Sequence, residues 1–294
     1  MRVFVTGATG FIGSAVIPEL LAAGHTVLGM ARSDDGAAAL ERMGVESHRG
    51  ELTDLDSLTA GARACDGVIH LAFIHDFSQF MANIAIDRKA VETLIAALEG
   101  AGKPLIVTSG TAMFSPGRAV VETDWTQTLD ATRSGTELVV RASADKGVRA
   151  IIMRLPQVHD TTRAGLISYL IENARQKGLA AYVGDGANRW PAAHVSDVGR
   201  LYRLALEKAA PGVALHAVGE AGVPNKAIAE VIGAGLGLPV RSLTMDEAGD
   251  YLGWMAMFAG LDNLVSNDIT RETMGWEPTG PDLLTDLRAQ FAKA

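Results

Sequence analysis

Residues 1–16 read MRVFVTGATGFIGSAV. A β-branched and apolar run passes directly into Thr6-Gly7-Ala8-Thr9-Gly10-Phe11-Ile12-Gly13, and an apolar pattern of helical period follows with no break. Glycine is needed where the backbone takes a positive φ or where another group comes close to the main chain. In the spacing GxxGxxG the first glycine makes the tight turn out of a strand, the second lets a pyrophosphate lie against the backbone, and the third lets helix and strand pack closely. The amino terminus of the helix then turns free N–H groups and a positive dipole end toward the anion. Between a first strand and a first helix such a turn reads as a dinucleotide site. Its candidate contacts are Gly7, Thr9, Gly10, Phe11, Ile12 and Gly13.

The chain around this turn alternates short β-branched runs with helical patterns. Strands are expected over 2–6, 26–30, 46–49, 68–72, 105–109 and 149–154, and helices over 12–23, 36–43, 54–62, 78–98 and 131–146. Segments such as VIHLA and LIVTS are apolar nearly throughout, as parallel strands covered on both faces must be. The reading is an α/β protein with a Rossmann-type doubly wound parallel sheet over 1–155, its ligand site beyond the carboxyl ends of the strands. After residue 155 the rhythm loosens. Residues 156–294 are expected to form a smaller, mainly helical substrate lobe, with helices over 165–176 and 195–207, a turn at 182–194, and segments free to rejoin the main sheet.

Bulk composition narrows the partners. Acidic residues outnumber basic ones 34 to 26 in 294 residues, and the net charge of −8 has no basic block within it, so nucleic acid is not an expected partner. No uncharged apolar stretch approaches the roughly 20 residues that span a bilayer, so no membrane partner is expected either. The one cysteine, Cys65, cannot form an intrachain disulfide, which fits a reducing, cytoplasmic location. No His/Cys/Asp group has metal-ligand spacing. The apolar positions of 78–98 and 131–146 suggest a homodimer through a shared four-helix contact.

The end of the second strand selects the cofactor. A ribose 2′-hydroxyl is ordinarily met there by Asp or Glu, whereas a 2′-phosphate needs a cation. Here the strand ends Gly29-Met30-Ala31-Arg32-Ser33. Arg32 can lie on the adenine and pair with a phosphate, and Ser33 can donate a further hydrogen bond, so NADP is the expected cofactor. Asp34 and Asp35 follow directly.

TGATGFIGSAV, RGELTD, VIHLAF, IVTSGT, RLPQVHD and GDGANRWPAAHVSDVGRLY together resemble the extended, epimerase/dehydratase-like branch of the short-chain dehydrogenase/reductase superfamily, in an atypical subgroup. The resemblance spans nearly the whole chain. It implies that Leu52 flanks the adenine, that Leu71, Ala72 and Phe73 line the adenosine and nicotinamide ribose, and that Pro156, Gln157 and Val158 hold the nicotinamide.

The resemblance breaks at the proton donor. The superfamily works with Ser, Tyr and Lys, and Ser109 matches the serine, but all four tyrosines fall after residue 168. The helix that carries the Tyr-x-x-x-Lys pair in relatives has Leu129 and Arg133 in those slots here. Leucine transfers no proton, and arginine does not deprotonate, although Arg133 can hold an oxygen as a fixed cation. The developing oxyanion still requires a donor. His75, His159, His194 and a water held by Ser109 are the candidates, with His75 and the Ser109-held water standing equally ahead of the other two histidines. Trp190 and the group Tyr251, Trp254, Met255 and Phe258 either wall an apolar substrate pocket or form core. Three functions are compatible with these residues: an NADP(H)-dependent oxidoreductase on a small apolar carbonyl or alcohol, a nucleotide-sugar epimerase or dehydratase, and a dinucleotide-binding regulator without turnover.

Overall fold

The computed structural model describes residues 1–111, 117–125 and 133–293. Its first half is built from β1 (Arg2–Thr6), α1 (Gly13–Ala22), β2 (Thr26–Ala31), α2 (Asp34–Arg42), β3 (Glu46–Arg49), α3 (Leu55–Arg63), β4 (Gly67–His70), α4 (Phe80–Leu98), β5 (Pro104–Gly110), α5 (Arg133–Ala142) and β6 (Arg149–Leu155). The strands form a seven-stranded parallel sheet, ordered β3-β2-β1-β4-β5-β6 with β10 (Ala214–His216) outermost. The order reverses between β1 and β4, and a doubly wound sheet opens its ligand crevice at that point.

Strand parity divides the core. Val3, Val5, Ile106, Ile151 and Met153 face α1 and α7 (Val195–Lys208), while Phe4, Leu105, Val107, Ala150 and Ile152 face α3, α4 and α5. The alternation places side chains 105, 107 and 109 of β5 on the α5 side and 106 and 108 on the α7 side. Thr108 accordingly meets Tyr202 of α7, oxygen to oxygen at 2.7 Å.

Beyond β6 the chain forms β7 (Gln157–His159), α6 (Ile167–Lys177), β8 (Ala180–Val183), β9 (Arg189–His194), β11 (Glu220–Pro224), α8 (Asn225–Leu236), β12 (Val240–Leu243), α9 (Met245–Leu252), α10 (Ala256–Ala259), α11 (Asp268–Met274) and α12 (Leu283–Ala292). β9 lies between β11 and β7 in a three-stranded sheet, and β12 pairs with β8. The segment read as a turn at 182–194 therefore contains the central strand of a small sheet. Pro191 argues against a strand by lacking an N–H. The ladder accommodates it with a register shift in β11 between Glu220 and Val223, opposite the Ala192–Trp190 stretch. Both faces of this strand are covered, Trp190 and Ala192 by the lobe core and Ala193 by the main core, so no polar alternation marks it. Among the described residues no helix is long and apolar enough to cross a membrane.

A buried polar assembly ties α5 to the sheet. Arg154 of β6, fully buried, donates to both carboxylate oxygens of Glu137 on α5, at 3.1 and 2.7 Å, and to the Asp124 carbonyl at 2.8 Å. Removing one partner of such a pair costs about 3–5 kcal/mol, because the other charge stays buried. Arg154 also donates to His216 Nε2 at 3.1 Å, so His216 must carry its proton on Nδ1, which donates to the Ser266 carbonyl at 2.7 Å. Burial pushes the His216 pKa down to about 4. Below about pH 6.5 the unfolded chain therefore binds a proton that the folded imidazole refuses until about pH 4, and stability falls through that window as acid is added. His216→Asn keeps a donor and an acceptor without titrating. Thermal melts from pH 7.5 to 4.5 are expected to show a smaller acid loss of Tm in this variant than in the parent chain; equal losses would remove His216 from the account.

Candidate active site

The turn between β1 and α1 closes against the segment leaving β4. Gly7 has φ +67°, and a Cβ there would lie 2.8 Å from the Ala72 nitrogen. A Cβ on Gly13 would lie 2.5 Å from the Ala8 carbonyl oxygen, so the first residue of α1 rests on the turn's own backbone. Gly10 donates to the Gly7 carbonyl at 2.9 Å. Among the described residues the N–H groups of Phe11 and Ile12 have no protein acceptor. Ile12 caps α1 without a side-chain hydrogen bond, and the first turn holds no acidic residue. The positive end of the helix is thus uncompensated, and the Arg163 guanidinium, 5.8 Å over the Phe11 ring, adds charge beside it.

A buried relay holds the opposite wall. His70 Nε2 lies 3.3 Å from Asp87 of α4, His70 Nδ1 lies 2.9 Å from Thr6 Oγ1, and the Ala72 N–H donates to Thr6 Oγ1 at 3.3 Å. With the ring proton on Nε2 and given to Asp87, the Thr6 hydroxyl donates to Nδ1 and accepts from Ala72. This chain fixes Leu71, Ala72 and Phe73 against Gly7. Sequence reading passed over it, although a histidine inside VIHLA and an aspartate inside NIAIDRKAV were its visible signals.

At the end of β2, Arg32 is exposed and Ser33 caps α2, accepting from the Gly36 N–H at 3.1 Å and leaving its own O–H to donate. Arg49, across the ladder from Ala31, donates to the Arg32 carbonyl at 3.0 Å and pairs with Asp34 at 3.2 Å. The Arg49 guanidinium therefore stands at this corner beside the Arg32 backbone and engages the nearby Asp34. Leu52, leaving β3, is buried beside Leu28 and Met30. Val158 also packs in the core, so a nicotinamide would meet its backbone rather than its side chain. Gln157 accepts from the Leu166 N–H at 2.8 Å.

The carboxyl end of β5 lies near the catalytic candidates Ser109 and Arg133. Ser109 is 4% exposed and its Oγ has no hydrogen-bond partner among the described residues. Arg133, at the first turn of α5, donates to the Thr108 carbonyl at 2.9 Å and stacks 4.2 Å over the Phe73 ring, while its Nε is buried without an acceptor among the described residues. Phe73 meets the His75 ring edge-on at 5.4 Å. The His75 pKa is lowered, first by burial and then by the Arg133 charge, so at neutral pH the imidazole is uncharged. Leu129 lies outside the described residues.

The remaining candidates sit apart. His159 Nδ1 pairs with Asp286 of α12 at 2.8 Å, and His194 caps α7 through the Ser196 N–H. Burial lowers the His159 pKa and raises that of Glu220, 3.9 Å from His159 Nε2. Tyr202 is fully buried on the α7 side, and burial raises its pKa, which makes it a poor acid. Thr111, Gln157, Leu166, Trp190, Phe258 and Leu261 are among the residues that line a narrow cleft, whose roughly 250 Å³ of empty space includes open solvent. Met255 packs in the lobe core, Tyr251 donates to the Leu179 carbonyl, and Trp254 lies edge-on to both Tyr169 and Phe258.

Residues 3–218 match the model of the NAD dependent epimerase/dehydratase family. An uncharacterized protein of Schizosaccharomyces pombe is 43% identical over 289 residues, 98% of each chain. The 2-alkyl-3-oxoalkanoate reductase of Stenotrophomonas maltophilia is 29% identical over 231 residues, 73% of this chain and 68% of that protein. Among solved structures, the dTDP-glucose 4,6-dehydratase of Streptomyces venezuelae with NAD and TYD bound superposes with a TM-score of 0.79 at 19% identity, covering 99% of this chain and 96% of the other.

Because Arg133 lowers the His75 pKa, Arg133→Ala is expected to move the His75 titration upward. Ring-proton shifts followed by NMR from pH 5 to 8 read this directly; an unchanged titration would mean that burial alone sets it.

Proposed function

The chain belongs to the NAD dependent epimerase/dehydratase family, and on that premise we propose that it is an NADP(H)-dependent oxidoreductase interconverting a small apolar carbonyl compound and its alcohol. The observation that carries the proposal is the buried Ser109 hydroxyl, without a partner among the described residues, at the end of β5 two strands from the glycine turn, with Arg133 on the carbonyl of the residue before it. A buried polar atom without a partner is costly unless a ligand supplies one.

The chain's own groups fit a dinucleotide. The bare amides of Phe11 and Ile12 would take its pyrophosphate, Leu52 its adenine, and the segment from Leu71 to Phe73 its ribose, with Pro156 and the Val158 backbone at the nicotinamide. Arg32, Arg49 and the Ser33 hydroxyl favour a 2′-phosphate. The nicotinamide, when bound, supplies or accepts the hydride. Ser109 donates to the substrate oxygen as negative charge develops, and the fixed charge of Arg133 lowers the energy of that charge. The proton that Ser109 gives up is replaced from solvent or through the uncharged His75. No ionisable tyrosine is needed in this scheme, which separates it from the Tyr-Lys arrangement of relatives. A reducing, cytoplasmic setting is supported by Cys65, buried, free, and with its thiol pKa raised by burial.

Arg32→Ala and Arg49→Ala are each expected to weaken NADPH binding about 10- to 100-fold, the loss of a charge-assisted hydrogen bond, while NADH binding changes by less than about twofold. Fluorescence titration with both cofactors measures this, and equal losses for both would refute the 2′-phosphate site. In NADPH consumption assays over a panel of aldehydes and ketones, Ser109→Ala is expected to lower kcat on the order of 100-fold, with cofactor affinity retained. Binding of NADPH with no consumption on any carbonyl would overturn the catalytic reading in favour of a cofactor-binding regulator.

A further inference from the structure

The loop that leaves β7 is tied down from three directions. Within the loop, Asp160 Oδ1 accepts from the Thr162 N–H and the Thr162 hydroxyl, both at 2.6 Å, and from the Arg163 N–H at 2.9 Å. Toward the strand, the Asp160 N–H donates to the Arg163 carbonyl at 2.9 Å, and His159 bridges antiparallel to Ala164, which is fully buried. From the end of α12, Lys293 donates to the Thr161 hydroxyl at 2.9 Å and Gln290 to the Thr162 carbonyl at 3.4 Å.

This scaffold presents the Arg163 side chain. It is exposed, and its guanidinium stands 5.8 Å over the Phe11 ring. A ring face attracts the charge but supplies no oxygen to the five N–H donors. Among the described residues no acceptor takes those donors, and no carboxylate pairs with the guanidinium. Asp160, the nearest acid along the chain, is already spent on its three donors.

The contact joins the two parts of the molecule. Arg163 lies beyond β6, on the lobe side, and Phe11 in the turn between β1 and α1. The ring beneath the guanidinium belongs to the same residue as one of the two amides that find no acceptor among the described residues. Two sets of unused donors therefore meet at Phe11, one from a helix end and one from a fixed loop of the lobe. A guanidinium fork takes two phosphate oxygens at once, and helix amides take others, so a ligand that engages both is an anion of several oxygens, as a diphosphate is. Much of the cost of ordering the loop is met beforehand by its own hydrogen bonds.

We propose that Arg163 is a further cofactor-binding residue, pairing from the lobe with the diphosphate that the Phe11 and Ile12 amides take from the glycine turn. This rests on the dinucleotide reading of the same site. It makes the cofactor a bridge between sheet and lobe, and it separates two roles for arginine. Arg163 serves NADPH and NADH alike, because the diphosphate is common to both, whereas Arg32 and Arg49 act on the 2′-phosphate alone.

The test is a binding measurement on the full chain, independent of turnover. NADPH, NADH and adenosine 2′-monophosphate, which has no diphosphate, are titrated against the parent chain and Arg163→Gln, an exposed substitution that leaves the loop's backbone bonds in place. Arg163→Gln is expected to weaken both dinucleotides about tenfold or more and to the same extent, the loss of a charge-assisted pair, while adenosine 2′-monophosphate changes by less than about twofold. Arg163→Lys, which keeps the charge without the fork, is expected to recover part of the loss. Raising the salt is expected to weaken NADH binding more steeply in the parent chain than in Arg163→Gln. A smaller loss than about threefold for either dinucleotide, a loss confined to NADPH, or an equal loss for adenosine 2′-monophosphate would overturn the role of Arg163. A parent chain that binds neither dinucleotide at millimolar levels would overturn the cofactor reading and this proposal with it; one that binds both, with Arg163→Gln unaltered, would remove Arg163 alone.

Discussion

Everything in the site depends on unsatisfied amides at the leading end of α1. A helix leaves its first N–H groups without partners, and most helices give them a capping side chain. This one does not: Ile12 stands at the cap, the first turn has no acidic residue, and the N–H groups of Phe11 and Ile12 find no protein acceptor among the described residues. The sheet adds its own contribution, because Gly7 and Gly13 let strand end, turn and helix start approach to distances that a Cβ would forbid. A preorganised, electropositive turn results at the point where the strand order reverses.

Two buried polar assemblies keep the remaining groups in register with that turn. Asp87, His70 and Thr6 fix the segment after β4, which carries Phe73, and Arg154 with Glu137 fixes α5, which carries Arg133 one turn earlier. Arg133 then rests on Phe73 and on the Thr108 carbonyl, so the two assemblies meet beside the Ser109 hydroxyl. Rigid support of this kind is what electrostatic stabilisation of a developing oxyanion requires, since donors that must reorganise during the reaction lose most of their effect. The same neighbourhood explains why His75 is uncharged at neutral pH: burial and Arg133 both disfavour the imidazolium.

Much of the frame was legible in the sequence, because fully apolar strands alternating with helical patterns have few other solutions. The six strands of the first half fall within two residues of the expected bounds, and β4 ends at His70 rather than residue 72 because the chain there leaves the ladder to pack against Gly7. β9 was hidden by Pro191 and by burial on both faces, and its proline is accommodated only by a bulge in a strand thirty residues later. Pairings that need topology were also out of reach. Nothing local joins Arg49 to the end of β2, Asp87 to His70, or Asp262 to Arg189; each becomes visible once the ladders and lobe contacts bring the elements together. His159 and His194, plausible donors as residues, prove to be committed to Asp286 and to a helix cap.

The most direct measurement follows the amides themselves. In a backbone-assigned chain, the ¹H–¹⁵N resonances of Phe11 and Ile12 are recorded during titration with NADPH. Capture of the pyrophosphate predicts large, saturable downfield proton shifts at these two positions, exceeding those elsewhere in α1. Unmoved Phe11 and Ile12 resonances at millimolar NADPH and NADH, in a folded chain freed of copurified nucleotide, would contradict the account at its origin.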